Sequence, residues 1–178
     1  PTLVVSPLLA LMRNQVDAAG RSGLRAATLN SSNFSDWEAI QADLAGGDLD
    51  VLLTSPERLA NPRFAAEVLP WLLPRLGMLV LDEAHCISSW GHDFRPDYRR
   101  IASLLAQRPD LPVLATTATA NSRVTDDVAR QLGEGTLVLR GTLARQSLHL
   151  SVLPRMGLVE AYAWVDEHLP LLPGSGIV

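Results

Sequence analysis

Two adjacent carboxylates, Asp82 and Glu83, end the apolar run Met78 to Leu81, and His85 and Cys86 follow within three residues. An acid at the rim of a buried strand can hold a magnesium ion, commonly through water, while its neighbour orients a water for attack on a phosphate. The pair therefore suits the acidic half of a nucleotide-hydrolysing site. An acid that merely caps the next helix would give the same two letters. Zinc is a second chemistry, with Asp82, His85, Cys86 and His92 as ligands. The spacing is poor, because the chain has no Cys-x-x-Cys pair and no His-Glu-x-x-His, and three of the four residues crowd one junction. The same acids with His92 would also suit a metal-dependent nuclease. No Gly-x-Ser-x-Gly elbow is present to support serine hydrolase chemistry.

Just beyond the acids, Trp90, Gly91, His92, Asp93, Phe94 and Arg95 form a polar stretch that carries two large rings. Aromatics beside arginine make a platform for unpaired nucleic acid, at about 1–3 kcal/mol per stacked base. The alternative is that both rings fold under the loop as a small satellite cluster. Ser6-Pro7 and Ser55-Pro56 each follow a strand-length apolar run. They predict two helix N-termini whose amides could grip backbone phosphates, with Arg13 and Arg58 close behind, or else ordinary caps. Thr116-Thr117-Ala118-Thr119 would set hydroxyls along the same edge, again with simple capping as the alternative.

The elements that must position these residues alternate regularly. Strands are expected at Thr2 to Val5, Arg25 to Leu29, Val51 to Thr54, Met78 to Leu81, Val113 to Thr116 and Leu137 to Leu139. Ser6-Pro7 is expected to cap the first helix, which Gly20 stops; a capping box at Ser35 to Glu38 opens the second, which Gly46-Gly47 ends. A Pro-punctuated helical region covers Glu57 to Leu73. Further helices follow Pro96 up to Pro109, run from the Asn121 cap to Gly133, and span Leu158 to Leu169. Strands apolar throughout, alternating with helices, indicate a parallel sheet covered on both faces, so the class is α/β. Leu148 to Val152 is a further possible strand, and Ile177-Val178 reads as the beginning of another after the turn at Leu172 to Gly176. The chain is thus expected to be cut inside a second unit.

A chain of 178 residues with 47% hydrophobic and 19% charged residues can bury a full domain core, which excludes wholesale disorder. No apolar run approaches a membrane span and no secretory signal is recognisable, so a soluble, cytoplasmic protein is expected, nucleoid-associated if bacterial. The single cysteine forms no internal disulfide. A net charge of −4 argues against a uniformly basic nucleic-acid surface but allows a local patch. Every one of the 15 cationic residues is arginine.

Taken together, these stretches resemble the RecQ family of superfamily 2 DNA helicases. Asp82-Glu83-Ala84-His85 is similar to the family's Walker B box, and Cys86-Ile87-Ser88 through Trp90 to Pro96 to its aromatic-rich loop. Val5-Ser6-Pro7-Leu8 with Leu11-Met12 resembles motif Ia, Ser55-Pro56-Glu57-Arg58-Leu59 motif Ib, and Thr117-Ala118-Thr119 motif III. The resemblance implies a truncated RecA-like sheet of the P-loop NTPase type. Residues 1–142 would be part of lobe 1, and 143–178 a linker with the beginning of lobe 2. It implies ATP and Mg²⁺ as cofactors, with Asp82 assisting Mg²⁺ through water, Glu83 activating water and His85 relaying nucleotide state to Thr117, Ala118 and Thr119. Single-stranded and partly duplex DNA would be the partner, met by Ser6, Pro7, Arg13, Ser55, Arg58, Trp90, His92, Phe94 and Arg95. Other repair proteins are further possible partners.

The implied activity is an ATP-dependent 3′–5′ DNA helicase of repair and recombination; a non-catalytic DNA-binding or interaction module derived from such a lobe is the alternative. Departures from the family matter here. The phosphate-binding Walker A loop needs a lysine, which these 178 residues lack. Arg13 stands where lysine is frequent, and Ser89 where a longer polar residue is usual. The chain alone is therefore expected to hydrolyse little or no ATP.

Overall fold

Apolar segments of three or four residues make the strands, packed on one face against the core. In the computed structural model, residues 1–30, 36–88, 96–133, 135–141 and 152–172 are described. The strands are β1 (Thr2–Val5), β2 (Ala26–Leu29), β3 (Val51–Thr54), β4 (Met78–Leu81) and β5 (Val113–Ala115). Between them run α1 (Leu9–Arg21), α2 (Trp37–Gly46), α3 (Pro56–Leu59), α4 (Pro62–Glu67), α5 (Leu69–Leu72) and α6 (Arg99–Gln107), and α7 (Ser122–Leu132) follows β5. All pairings are parallel, in the order β2-β3-β1-β4-β5.

This order fixes where a ligand can sit. From β1 the chain passes to the edge strand β2, returns to β3 between β2 and β1, then crosses to β4 on the other side of β1. The gap between β1 and β4 is thus the topological switch point, where open α/β sheets leave a crevice beyond their carboxyl ends. Register places Val5 beside Leu81 and Leu81 beside Ala115. The next residue of each strand, Ser6, Asp82 and Thr116, therefore emerges side by side at the rim.

One sheet face carries the main core. Leu3, Val5, Leu52, Leu79 and Leu81 pack there with Trp37, Phe64, Tyr98, Ile101 and Val124 from the helices. On the opposite face α1 lies along β2, with Met12 and Leu53 buried. Met78 and Leu114, on β4 and β5, stay exposed on that face. Helix ends follow the expected chemistry in several places. Ser55 accepts from the Arg58 amide ahead of Pro56, and Asn121 accepts from Val124 N–H. Gly47 closes α2 at φ 78° and Gly133 closes α7 at φ 117°, conformations that favour glycine.

Two expectations need correction. Ser6-Pro7 does not cap α1: the helix starts at Leu9 behind Leu8, with no side-chain cap, because the Ser6 hydroxyl is bonded elsewhere. Leu137 to Leu139 is not a strand; Leu137 is 78% and Leu139 85% exposed, and no described strand pairs with the segment. Apolar composition alone does not make a strand without a neighbouring ladder.

The chain divides into two compact units, Pro1–Arg140 and Gly141–Val178. The described part of the second contains α8 (Leu158–His168), whose opening amide, Gly157 N–H, donates to Glu160 Oε2 at 2.8 Å. The expected strands at 148–152 and 177–178 fall almost wholly outside the described residues. Among the described residues no helix is long and apolar enough to cross a membrane.

Candidate functional site

The acid pair sits on a turn stitched to both neighbouring strands. Asp82 N–H donates to Val5 O at 2.9 Å, extending the β1–β4 ladder, and Ala84 N–H donates to Thr116 O at 2.9 Å. Between them Glu83 adopts φ 49° and ψ 46°, the one non-glycine residue with positive φ among those described. Such a conformation costs about 1–3 kcal/mol and persists only where its surroundings enforce it. A short 3₁₀ turn, Ala84–Ile87, follows and is buried throughout.

Asp82 is held by four donors. Ser6 Oγ (3.1 Å) and Gln15 Nε2 (3.3 Å) donate to its Oδ2, and Thr116 Oγ1 (3.2 Å) and Glu83 N–H (3.0 Å) to its Oδ1. Tyr98 OH donates to its main-chain oxygen at 3.2 Å. The carboxylate is thereby oriented at the rim by groups from β1, α1, β4 and β5. Glu83 differs. Its Oε2 is buried within ion-pair distance, 3.2 Å, of His85 Nδ1 and accepts no aligned hydrogen bond among the described residues. His85 is itself packed away, with Nδ1 3.0 Å from Thr117 Oγ1 and 3.2 Å from Thr119 Oγ1. Ala118 is exposed in the same turn. The structure thus gathers Asp82, Glu83, His85, Thr117 and Thr119 into one constellation.

The carboxylate chemistry fits a magnesium ion better than zinc. Mg²⁺ is typically bound through one or two carboxylates plus waters and phosphate oxygens, and two carboxylates at a strand end match that donor set. Cys86, by contrast, is fully buried, and among the described residues no group of three or more His, Cys, Asp and Glu side chains could hold a metal.

A separate groove of about 400 Å³ runs past the two Ser-Pro segments, lined by Pro7, Leu9, Asn30, Ser55, Glu57, Arg58 and Asn61. It brings Pro7, Ser55 and Arg58 together but not every residue expected there. Ser6 is fully buried beneath and belongs to the Asp82 surroundings, and Arg13, exposed on α1, is not among the lining residues. Arg58 is only 7% exposed, with its guanidinium 4.7 Å over the Trp37 ring. Burial pushes its pKa down from the ordinary guanidinium value. The Glu57 carboxylate makes the groove mixed in charge. Trp90, His92, Phe94 and Arg95 lie outside the described residues.

Sequence reasoning missed Gln15, Tyr98 and the specific part of Thr116. Gln15 had a readable signal: it lies three residues after the buried Met12, so it is a polar residue at core-facing helical spacing.

Known proteins place this geometry. The DEAD/DEAH box helicase family profile matches residues 1–128. The chain is 41% identical over 132 residues to the ATP-dependent DNA helicase RecQ of Haemophilus influenzae, covering 74% of this chain and 21% of that protein. It is 43% identical over 134 residues to the RecQ helicase of Bacillus subtilis, covering 74% and 22%. With the RecQ helicase of Pasteurella multocida it shares 35% over 161 residues, covering 89% and 25%. The chain therefore spans between a fifth and a quarter of the length of these relatives. The helicase domain of Pyrococcus furiosus Hef superposes on 74% of this chain and 27% of that one, with a TM-score of 0.53 at 18% identity, a likeness of fold. The order of motifs, the parallel sheet with its acid turn at the switch point and these sequence relationships lead to one conclusion: the chain belongs to the DEAD/DEAH box helicases, in their RecQ branch.

Proposed function

We propose that this chain is the part of an ATP-dependent 3′–5′ DNA helicase of RecQ type that joins the hydrolytic acids to a DNA-contacting surface. Residues 1–142 form part of the first RecA-like lobe, and 143–178 lead into the second. When bound, Mg²⁺ neutralises charge on the terminal phosphate oxygens of ATP. Asp82, oriented by its four donors, would hold that ion through water. Glu83 takes the proton of the attacking water through the part of its carboxylate that stays open to solvent, while Oε2 is buried against His85. His85, between Glu83 and the Thr117–Thr119 turn, passes the occupancy of the site toward that turn. Pro7, Ser55 and Arg58 line the track for the DNA backbone, with Arg13 at its margin, and Trp90, His92, Phe94 and Arg95 meet the bases of the unpaired strand. The whole protein unwinds duplex DNA during repair and recombination.

The observation that carries this reading is the strained turn at the switch point, which sets a partly exposed Glu83 carboxylate beside an Asp82 oriented by donors from the neighbouring strands and α1. The test is Glu83→Gln in the complete protein. Nucleotide binding should survive, while DNA-stimulated turnover falls by about 10²–10⁴-fold, the usual contribution of a general base. Turnover within twofold of the parent would remove Glu83 from the mechanism. The isolated 178-residue chain, without lysine, should show no DNA-stimulated ATP turnover of its own.

A further inference from the structure

Ser88 ends the acid turn two residues before Trp90, and it is fully buried. Its amide donates to His85 O at 3.2 Å, and its hydroxyl donates to Asp127 Oδ2 at 2.6 Å. Asp127 lies on α7, the helix that starts three residues beyond Thr119, and only 16% of its side chain is exposed. Gln131 Nε2 donates to the same Oδ2 at 3.1 Å, which keeps the carboxylate turned toward Ser88, and Arg130 Nη2 reaches Oδ1 at 3.5 Å. Beyond the bonds of Asp82 and Ala84 to Thr116, the acid turn is tied to the segment after β5 at two further points: His85 against Thr117 and Thr119, and Ser88 against α7.

The two ties differ in what they control. The first lies at the carboxylates, whereas the second lies where the chain leaves the turn toward Trp90, Phe94 and Arg95. A buried hydroxyl on a carboxylate is a short, charge-assisted bond, stronger and more directional than apolar packing of the same volume. It fixes Ser88, the residue from which the chain continues to the aromatic stretch, relative to the acid turn.

We propose that Asp127 is a positioning residue for coupling: through Ser88 it anchors the root of the aromatic stretch, so that DNA contact there changes turnover at Glu83. The inference rests on the helicase reading above and adds to it a residue outside the motifs that carried the resemblance.

The test compares Ser88→Ala, Asp127→Ala, their combination and Asp127→Asn in the complete protein. Turnover is read with and without saturating single-stranded DNA, alongside the melting temperature and DNA affinity of each variant. Each alanine variant should lower the ratio of stimulated to basal turnover by about tenfold, the effect of losing one charge-assisted hydrogen bond. The double variant should be no worse than the weaker single one, since both remove the same bond. Asp127→Asn keeps an oxygen acceptor for Ser88 and should recover most of the ratio. A merely structural role would lower stimulated and basal rates together with melting temperature and leave the ratio unchanged; that result overturns the proposal, as do multiplicative effects of the two alanines. If the parent protein itself shows no DNA stimulation, the helicase reading fails and takes this inference with it. A stimulated parent whose variants keep its ratio overturns the inference alone.

Discussion

Replacing Asp82 separates the stability of the rim from its chemistry. In Asp82→Ala four donors lose their acceptor: Ser6 Oγ, Gln15 Nε2, Thr116 Oγ1 and Glu83 N–H. Thr116 is exposed and can turn to water, but Ser6 is fully buried and the Glu83 amide is fixed by its strained backbone. Each buried donor left unsatisfied costs about 1–3 kcal/mol, so the loss should be about 2–5 kcal/mol. For a chain of this size that corresponds to a fall of about 5–15 °C in melting temperature. Asp82→Asn should behave differently. Its oxygen can serve Thr116 and Glu83 N–H, while its NH₂ faces Ser6, whose hydroxyl can rotate to accept, and Gln15, whose Oε1 is buried without a partner and can accept after a turn of the carboxamide. The cost should be about 1 kcal/mol. Thermal unfolding of the 178-residue chain, followed by circular dichroism without magnesium, measures both. Equal melting temperatures for the alanine and asparagine variants, or no loss in either, would refute the assignment of the four bonds.

Arg58→Lys keeps the charge but loses the planar face over Trp37, and should cost about 1–2 kcal/mol in urea unfolding, with a change in tryptophan emission; an unchanged midpoint would mean that the stack contributes nothing. At the other end of the sheet, the Arg25 side chain, and then its backbone N–H, hold the Asp50 carboxyl below the ordinary aspartate range. A depressed carboxylate contributes stability that is fully present above its unfolded pKa and is lost as pH falls through the folded one. The difference in stability between the parent and Asp50→Asn should therefore be constant near neutral pH and shrink on acidification through that window. A difference that grows with acid would contradict the assignment.

What was legible in the sequence was local. Mostly apolar runs announce β1 to β5 because parallel strands pack against helices, fully on one face and, at β4 and β5, only partly on the other, and Gly47, Gly133, Ser55 and Asn121 mark helix ends through conformations or bonds confined to a few residues. The acid turn was legible for the same reason. Ser6 shows the limit: by local chemistry it is a good cap, but a carboxylate 76 positions away competes for its hydroxyl. Gln15 and Asp127 were missed because their partners lie 67 and 39 positions away, brought near only by the strand order. Leu137 to Leu139 has strand composition, and composition does not supply a partner to pair with.

The backbone at Glu83 joins these levels. Asp82 must stay in the ladder with Val5, and two residues later Ala84 must reach Thr116 on the other side of β4; a left-handed residue between them folds the chain back far enough for both bonds. Glycine would adopt φ 49° with little strain and would satisfy the same ladder. The position holds glutamate instead, with one oxygen buried 3.2 Å from the His85 imidazole and without an aligned hydrogen bond. Stability disfavours this arrangement through the backbone. The proposed role of Glu83 as proton acceptor gives a reason for a glutamate at that strained position, and the bonds that hold Asp82 beside it fix the turn that carries both acids.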